Sequence, residues 1–468
     1  MGCGRRRPMK RLILILMALL ALSLLLSACP SATPTEEAEP TSTPLPEGVV
    51  KVTWWTEPLL GSNREALLRD FVDTFNAAHP DIVLEVLFQP DLDRVTRTAI
   101  QGGAGPDIVQ SPGPAFVMDY IEAGHVLPLD DYAAKYGWNE EIFSWALDVG
   151  KMDGHLYSLP LTYETMVLWY NKTLFDQHGW TPPTDRTELE ALAGECQAQG
   201  IIPFAHANAS WKAANEWYVG MFYSNYAGAD KVYQALTQQI HWDDPLFVEA
   251  VALLKDYMDR GWFSGGRDNY YSLTLTDHWG ALADGTAAMK MEGTWGFMHA
   301  PIYFKGTGNE WDWAPLPKLR DEVTPVYDLG IGSTVSINAA SPHPDAAAEV
   351  LDWLYSDPKR AARLISDIGG GEYVVPIPLT EEDFPPEVDQ RFIRALTTFS
   401  AKFAQGDYGY TTWTFWPART EQYIISGIEE VWNGSLTPEA YCQEQQRLFA
   451  ADLADGKVPP IPARSGFE

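Results

Sequence analysis

Three stretches of this chain set tryptophan near carboxylate or amide: Trp54-Trp55-Thr56-Glu57, Asn208 shortly before Trp211, and Glu292-Gly293-Thr294-Trp295. An indole offers a broad apolar face with one N–H donor, and a sugar ring offers apolar C–H faces edged by hydroxyls. Stacked indoles flanked by carboxylates and amides therefore suit saccharides. The chain has 18 Trp, 21 Tyr and 19 Phe, and Trp54, Trp55, Trp211, Trp295, Trp413 and Trp416 fall at expected strand ends or loops instead of helix faces. Core packing competes for each of them, because large aromatic side chains are usually interior.

Bond-making chemistry leaves no comparable signature. There is no G-x-S-x-G, H-E-x-x-H or C-x-x-C, and the nine histidines stand singly without metal-ligand spacing. Ser356-Asp357-Pro358-Lys359 fits S-x-x-K formally, yet Ser-Asp-Pro is what a helix N-terminus needs, with proline in the first helical position. Gly103-Ala104-Gly105 and Gly330-Ile331-Gly332 lack the third glycine of a dinucleotide loop and read as turns. With 63 acidic residues, carboxylate pairs arise by chance. The expectation is a binding protein without catalytic residues, metal or cofactor.

The elements that must position these side chains alternate. Val49 to Trp55 is a β-branched and aromatic run, followed by an amphipathic helix from about Asn63 to Ala78 and a strand from Ile82 to Phe88. A helix over Leu92–Gln101 leads through Gly102-Gly103-Ala104-Gly105-Pro106 into the short strand Asp107–Val109. Such β-α-β order predicts a mostly parallel sheet in an α/β protein. Helical spacing recurs at Arg186–Gln199, Pro245–Arg260, Pro344–Tyr355, Pro358–Ser366 and Pro438–Ala454, with strands Thr165–Tyr170 and Thr334–Ile337 between them.

The N-terminal segment has a different grammar. Arg5, Arg6, Arg7, Lys10 and Arg11 precede fifteen apolar or small residues, Leu12 to Leu26, and then Ser27-Ala28-Cys29. That is the order of a secretory signal peptide, and fifteen residues fall short of the roughly twenty that a spanning helix needs. Met9 is an alternative start. Leu-Ser-Ala-Cys resembles the lipobox of bacterial lipoproteins, which implies cleavage after residue 28, lipidation of Cys29 and retention outside the cytoplasmic membrane. Residues 30–48 are a Pro/Thr/Glu tether with almost no apolar side chain, long enough to reach on the order of 60 Å.

Loss of residues 1–28 removes five basic and no acidic side chains, which moves the formal charge from −30 to −35 and leaves 440 residues. That length predicts two lobes or domains, and the charge disfavours nucleic acid and anionic surfaces. Beyond Cys3 and Cys29 only Cys196 and Cys442 remain, either as one bridge or as two buried thiols.

From Val49 to Ala454 the chain resembles family 1 extracellular solute-binding proteins, the maltose-binding-protein-like receptors of sugar ABC importers. The resemblance rests on ordered segments: Val52-Thr53-Trp54-Trp55, Phe71-Val72-Asp73-Thr74-Phe75-Asn76, Gly105-Pro106-Asp107-Ile108-Val109 and Gly154-His155-Leu156-Tyr157-Ser158-Leu159-Pro160. It continues through Leu168-Trp169-Tyr170-Asn171-Lys172, Gly285-Thr286-Ala287-Ala288-Met289, Gly293-Thr294-Trp295 and Ile337-Asn338-Ala339-Ala340-Ser341-Pro342.

The resemblance implies a two-lobed α/β fold of the type II periplasmic-binding-protein class. The chain would cross near Tyr163–Thr165, near Gly332–Val335 and after Leu379. Lobe I would comprise residues 49–164 and 334–385, and lobe II residues 165–333 and 386–468. Ligand would lie between the lobes, with Trp55 and Glu57 on the first, Tyr163 and Glu164 at the hinge, and Trp211, Trp295 and Trp416 on the second. The partners implied are a sugar, the transmembrane subunits of a permease with its ATPase, and the membrane through the lipid anchor; a monomer is expected. Two departures from the maltose binder, at Gln110-Ser111-Pro112 and in the Glu57 loop, argue against maltose itself. A polyamine receptor of the same fold and a surface glycan hydrolase, which would need two carboxylates facing one bond, are the alternatives.

Overall fold

The computed structural model describes residues 45–59, 61–369 and 373–467. The signal segment, Cys29 and the tether up to residue 44 lie outside the described residues. The chain divides at residue 47; residues 45–47, the described end of the first part, are exposed, and residues 48–468 form one compact body. Among the described residues no helix is long and apolar enough to cross a membrane.

Two sheets organise this body. The first contains β1 (Val50–Thr56), β2 (Ile82–Phe88), β3 (Ile108–Ser111), β6 (Leu159–Glu164), β11 (Tyr327–Ile337) and β12 (Tyr408–Tyr410), in the order β12-β11-β3-β1-β2 with β6 also paired to β11. A two-residue hairpin, β4 (Lys151–Met152) and β5 (His155–Leu156), precedes β6. The second sheet contains β7 (Met166–Asn171), β8 (Ile202–Phe204), β9 (Ala287–Gly293) and β10 (Trp311–Ala314), in the order β10-β7-β9-β8. Both sheets are flanked by helices, which gives the two-lobed α/β fold expected.

The sheets are mixed where a mostly parallel one was expected. β2, β1 and β3 are parallel, as their connecting helices require, but β11 runs antiparallel to both β3 and β6. The reason is topological: β11 arrives from the second sheet, so its direction is set by that crossing and not by a β-α-β connection. Between β6 and β7 a single residue, Thr165, carries the chain from one sheet to the other. Its N–H bonds Thr294 Oγ1 at 3.3 Å and its carbonyl accepts from Thr294 N at 2.9 Å, so the crossing is pinned to the start of the Trp295 turn.

Local chemistry explains most boundaries. Pro245, Pro358 and Pro438 open their helices behind Asp244, Asp357 and Thr437, whose side chains accept from backbone N–H groups of the first turn. The helix expected over Asn63–Ala78 runs from Gly61 to Ala78 with a wide π segment, Leu67–Asp73, in its middle. Cys196 and Cys442 are buried free thiols, so the bridge left open by the sequence is not formed.

Candidate functional site

A cavity of about 630 Å³ opens between the two sheets, and its walls can be followed element by element. Glu57 comes from the loop after β1, Gln110 from β3, Phe116 from the helix Pro114–Glu122, and Thr162 and Glu164 from the end of β6. These are carboxyl ends of strands, where open α/β sheets bind ligands. The facing wall takes Glu216 and Trp217 from the helix Ala214–Phe222, Trp295 from the turn after β9, Trp413 from the short helix Thr412–Phe415, and Glu421 from the helix Ala418–Asn433. Trp211, 62 % exposed, stands at the rim.

The aromatic wall is built as a unit. Trp295 lies 4.9 Å from Trp217 and 5.9 Å from Trp413 between ring centroids, tilted and edge-on respectively. Its Nε1 donates to Glu292 Oε1 at 3.1 Å, and Trp279 Nε1 donates to the same oxygen at 3.2 Å. Glu292 is buried and paired with Lys290, whose Nζ also meets His278 Nδ1 at 2.8 Å and the Ala205 carbonyl at 3.2 Å. Burial and the Lys290 charge hold His278 down at about 2, so its imidazole stays neutral. Gly293 completes the arrangement, since a Cβ there would fall 2.0 Å from the Trp295 ring.

The wall formed by β6 and β11 depends on a second glycine. The β11 register slips around Ile331–Thr334, a bulge that places Gly332 and Ser333 in the cavity lining. A Cβ on Gly332 would stand 3.0 Å from Glu164 Oε1, so glycine leaves room for that carboxyl group.

The cavity is acidic, and burial acts on its carboxyls. Glu57 is raised above the usual carboxylate range by desolvation. Glu216 and Glu421 lie within hydrogen-bonding reach of each other; burial and then the Glu421 charge push Glu216 well up, while burial lifts Glu421 to about 7. The pair therefore shares protons near neutrality. Among the described residues no group of three or more His, Cys, Asp or Glu is placed to hold a metal ion.

Of the residues expected here, Glu57, Glu164, Trp211 and Trp295 are brought together. Three are not. Tyr163 points away because neighbours on a strand face opposite sides: Thr162 and Glu164 face the cavity while Tyr163 packs against Phe143, Trp145 and Phe403. Trp416 is 0 % exposed and packs tilted against Trp242, ring centroids 4.8 Å apart; it is a core residue, and Trp413, one turn earlier, occupies the cavity wall. Trp55 is half-buried on β1 and is not among the lining residues. Glu216, Trp217 and Glu421 were not among the expected residues, although Glu216-Trp217 carries the same tryptophan-beside-carboxylate signal that drew attention to Trp295; Trp413 was noted among the loop tryptophans but not placed in the cleft.

Two α/β lobes with an aromatic, carboxylate-lined cavity at strand ends define a solute-binding protein of the two-lobed periplasmic type. The chain belongs to the bacterial extracellular solute-binding protein family, whose sequence profile matches residues 61–361, about two thirds of its length. It is 25 % identical, over 73 % of this chain and 76 % of the relative, to an uncharacterised ABC transporter extracellular-binding protein of Pyrococcus horikoshii. A probable sugar-binding periplasmic protein of Brucella melitensis is 31 % identical over 36 % of this chain and 40 % of its own length. A solved structure from work on xylan utilization by a thermophilic Caldanaerobius polysaccharolyticus superposes with a TM-score of 0.70 at 21 % identity, covering 85 % of this chain and all of the other.

Proposed function

We propose that this chain is the extracytoplasmic receptor of an ABC importer, which binds a carbohydrate in the inter-lobe cavity and delivers it to a membrane permease. The observation that carries this reading is the lining itself: Trp217, Trp295 and Trp413 supply stacking faces, and Gln110, Glu57 and Glu164 supply polar groups for hydroxyls. A cavity of about 630 Å³ falls in the range of small-molecule sites and matches a short saccharide. The sugar-binding name of the Brucella relative supports the same ligand class.

The reading includes lobe boundaries at residues 164/165, 333/334 and 385/386, closure of the lobes about the hinge, and a monomeric receptor held to the membrane by lipidated Cys29. Discrimination of loaded from empty receptor by the permease requires that ligand favour the closed form. The test is a thermal-shift screen of the mature chain against mono- and oligosaccharides, with recovery of the ligand afterwards. A receptor is stabilised by at least one sugar and returns it intact; a hydrolase yields products, and a protein that no sugar stabilises is not a carbohydrate receptor.

A further inference from the structure

The cavity is more acidic than a neutral sugar requires. Glu57, Glu164, Glu216 and Glu421 all line it, and among the described lining residues there is no lysine, arginine or histidine. Nearby cations are engaged elsewhere. Lys212, one residue before Ala213 of the lining, pairs with Glu429 at 3.0 Å, Arg419 pairs with Asp452 and Asp455, and Lys290 is held by Glu292.

Glu216 gives an independent indication. It is 2 % exposed, it lines the cavity, and its Oε2 receives a hydrogen bond from no donor of the protein. A sugar hydroxyl would satisfy that oxygen and leave the proton shared between the Glu216 and Glu421 carboxyls, whereas an ammonium group would both satisfy the oxygen and take the place of that proton as the compensating charge. The Trp217, Trp295 and Trp413 rings lie on the same wall, and a cation over an indole face gains further attraction.

We propose that the ligand of this cleft is an amino-bearing saccharide, its ammonium group seated between Glu216 and Glu421 and its ring stacked on the adjoining indoles. The inference rests on the carbohydrate reading and narrows it. An alkyl polyamine would use the carboxylates too, but it has no ring to lie against the Trp217, Trp295 and Trp413 indoles of the lining.

The test is calorimetric titration of the mature chain at neutral pH with glucosamine, galactosamine and the glucosamine dimer and trimer. Each is compared with its N-acetylated counterpart, and spermidine is titrated beside them. At least one free-amine sugar is expected to bind about tenfold or more tightly than its acetylated match, with affinity that falls as salt rises. Glu216→Gln and Glu421→Gln should each reduce that ratio; the salt dependence of the wild type stands even if a variant fails to fold. Equal or tighter binding of the acetylated sugars overturns the inference and leaves the carbohydrate reading intact. Binding of spermidine alone, or of none of these compounds, overturns the inference, and a negative screen of neutral sugars would then overturn the broader reading as well.

Discussion

Replacing Trp295 by alanine separates a ligand platform from a core residue. The half-buried ring meets Trp217 and Trp413, and its Nε1 bonds Glu292 Oε1 at 3.1 Å. Two aromatic contacts of about 0.5 to 1.5 kcal/mol each put the stability loss on the order of 2 kcal/mol. Glu292 keeps Trp279 and Lys290, so no buried charge is orphaned. Loss of the stacking face should cost about 1 to 3 kcal/mol of binding, or roughly tenfold to a hundredfold in affinity. Trp416→Ala is the matched control: a 0 % exposed ring against Trp242 should cost about 3 to 5 kcal/mol of stability through a cavity, with affinity nearly retained in the folded fraction. Calorimetric titration with a saccharide found by screening, and denaturant unfolding of both variants, supply the two numbers. Full affinity in Trp295→Ala, or affinity loss confined to Trp416→Ala, refutes the site assignment.

Gly293→Ala should weaken binding while leaving secondary structure in place, because a Cβ 2.0 Å from the Trp295 ring drives the platform out of position; titration and circular dichroism check both halves. Burial raises Glu421 to about 7 and Asp328 to about 8, so between their lower unfolded values and those pH values the native state holds protons that the unfolded chain has lost. Stability of the unliganded protein should accordingly fall as pH rises through that window, and Asp328→Asn should flatten its upper part by a few kcal/mol, measured as unfolding free energy against pH. Cys29→Ser should abolish lipid labelling and release the protein from washed membranes; undiminished retention would remove the anchor from the account.

Local capping and periodicity made much of the fold legible. The helix starts at Pro245, Pro344, Pro358 and Pro438 coincide with the observed ones because proline and its neighbours determine them locally. Several segments that carried the family resemblance turn out to hold the scaffold together. Asp107 accepts from Thr53 N at 2.7 Å and from Ser341 Oγ at 2.6 Å, and Asn338 Nδ2 bonds the Pro106 carbonyl at 2.9 Å, so three of those motifs form one knot. Asn171 likewise accepts from Leu174 N and donates to the Leu282 carbonyl.

The site was legible where a tryptophan or carboxylate coincided with a position that the family resemblance puts in the cleft, as with Glu57 and Trp295. It was illegible where facing decides. Tyr163 and Glu164 are adjacent on one strand and therefore face opposite sides, a constraint the alternation rule itself contains. Trp413 and Trp416 flank the end of a one-turn helix, and only packing against Trp242 determines which is interior. Glu216 and Glu421 come from helices far apart in the chain, brought together by tertiary packing that no local pattern encodes.

Hydroxyl-radical footprinting with and without a bound saccharide tests the cleft assignment most directly. The account predicts protection of Trp211, Trp217, Trp295 and Trp413 on ligand addition, with Trp55 unchanged. Unchanged oxidation of Trp217, Trp295 and Trp413 at saturating ligand, or protection centred elsewhere on the surface, would contradict it.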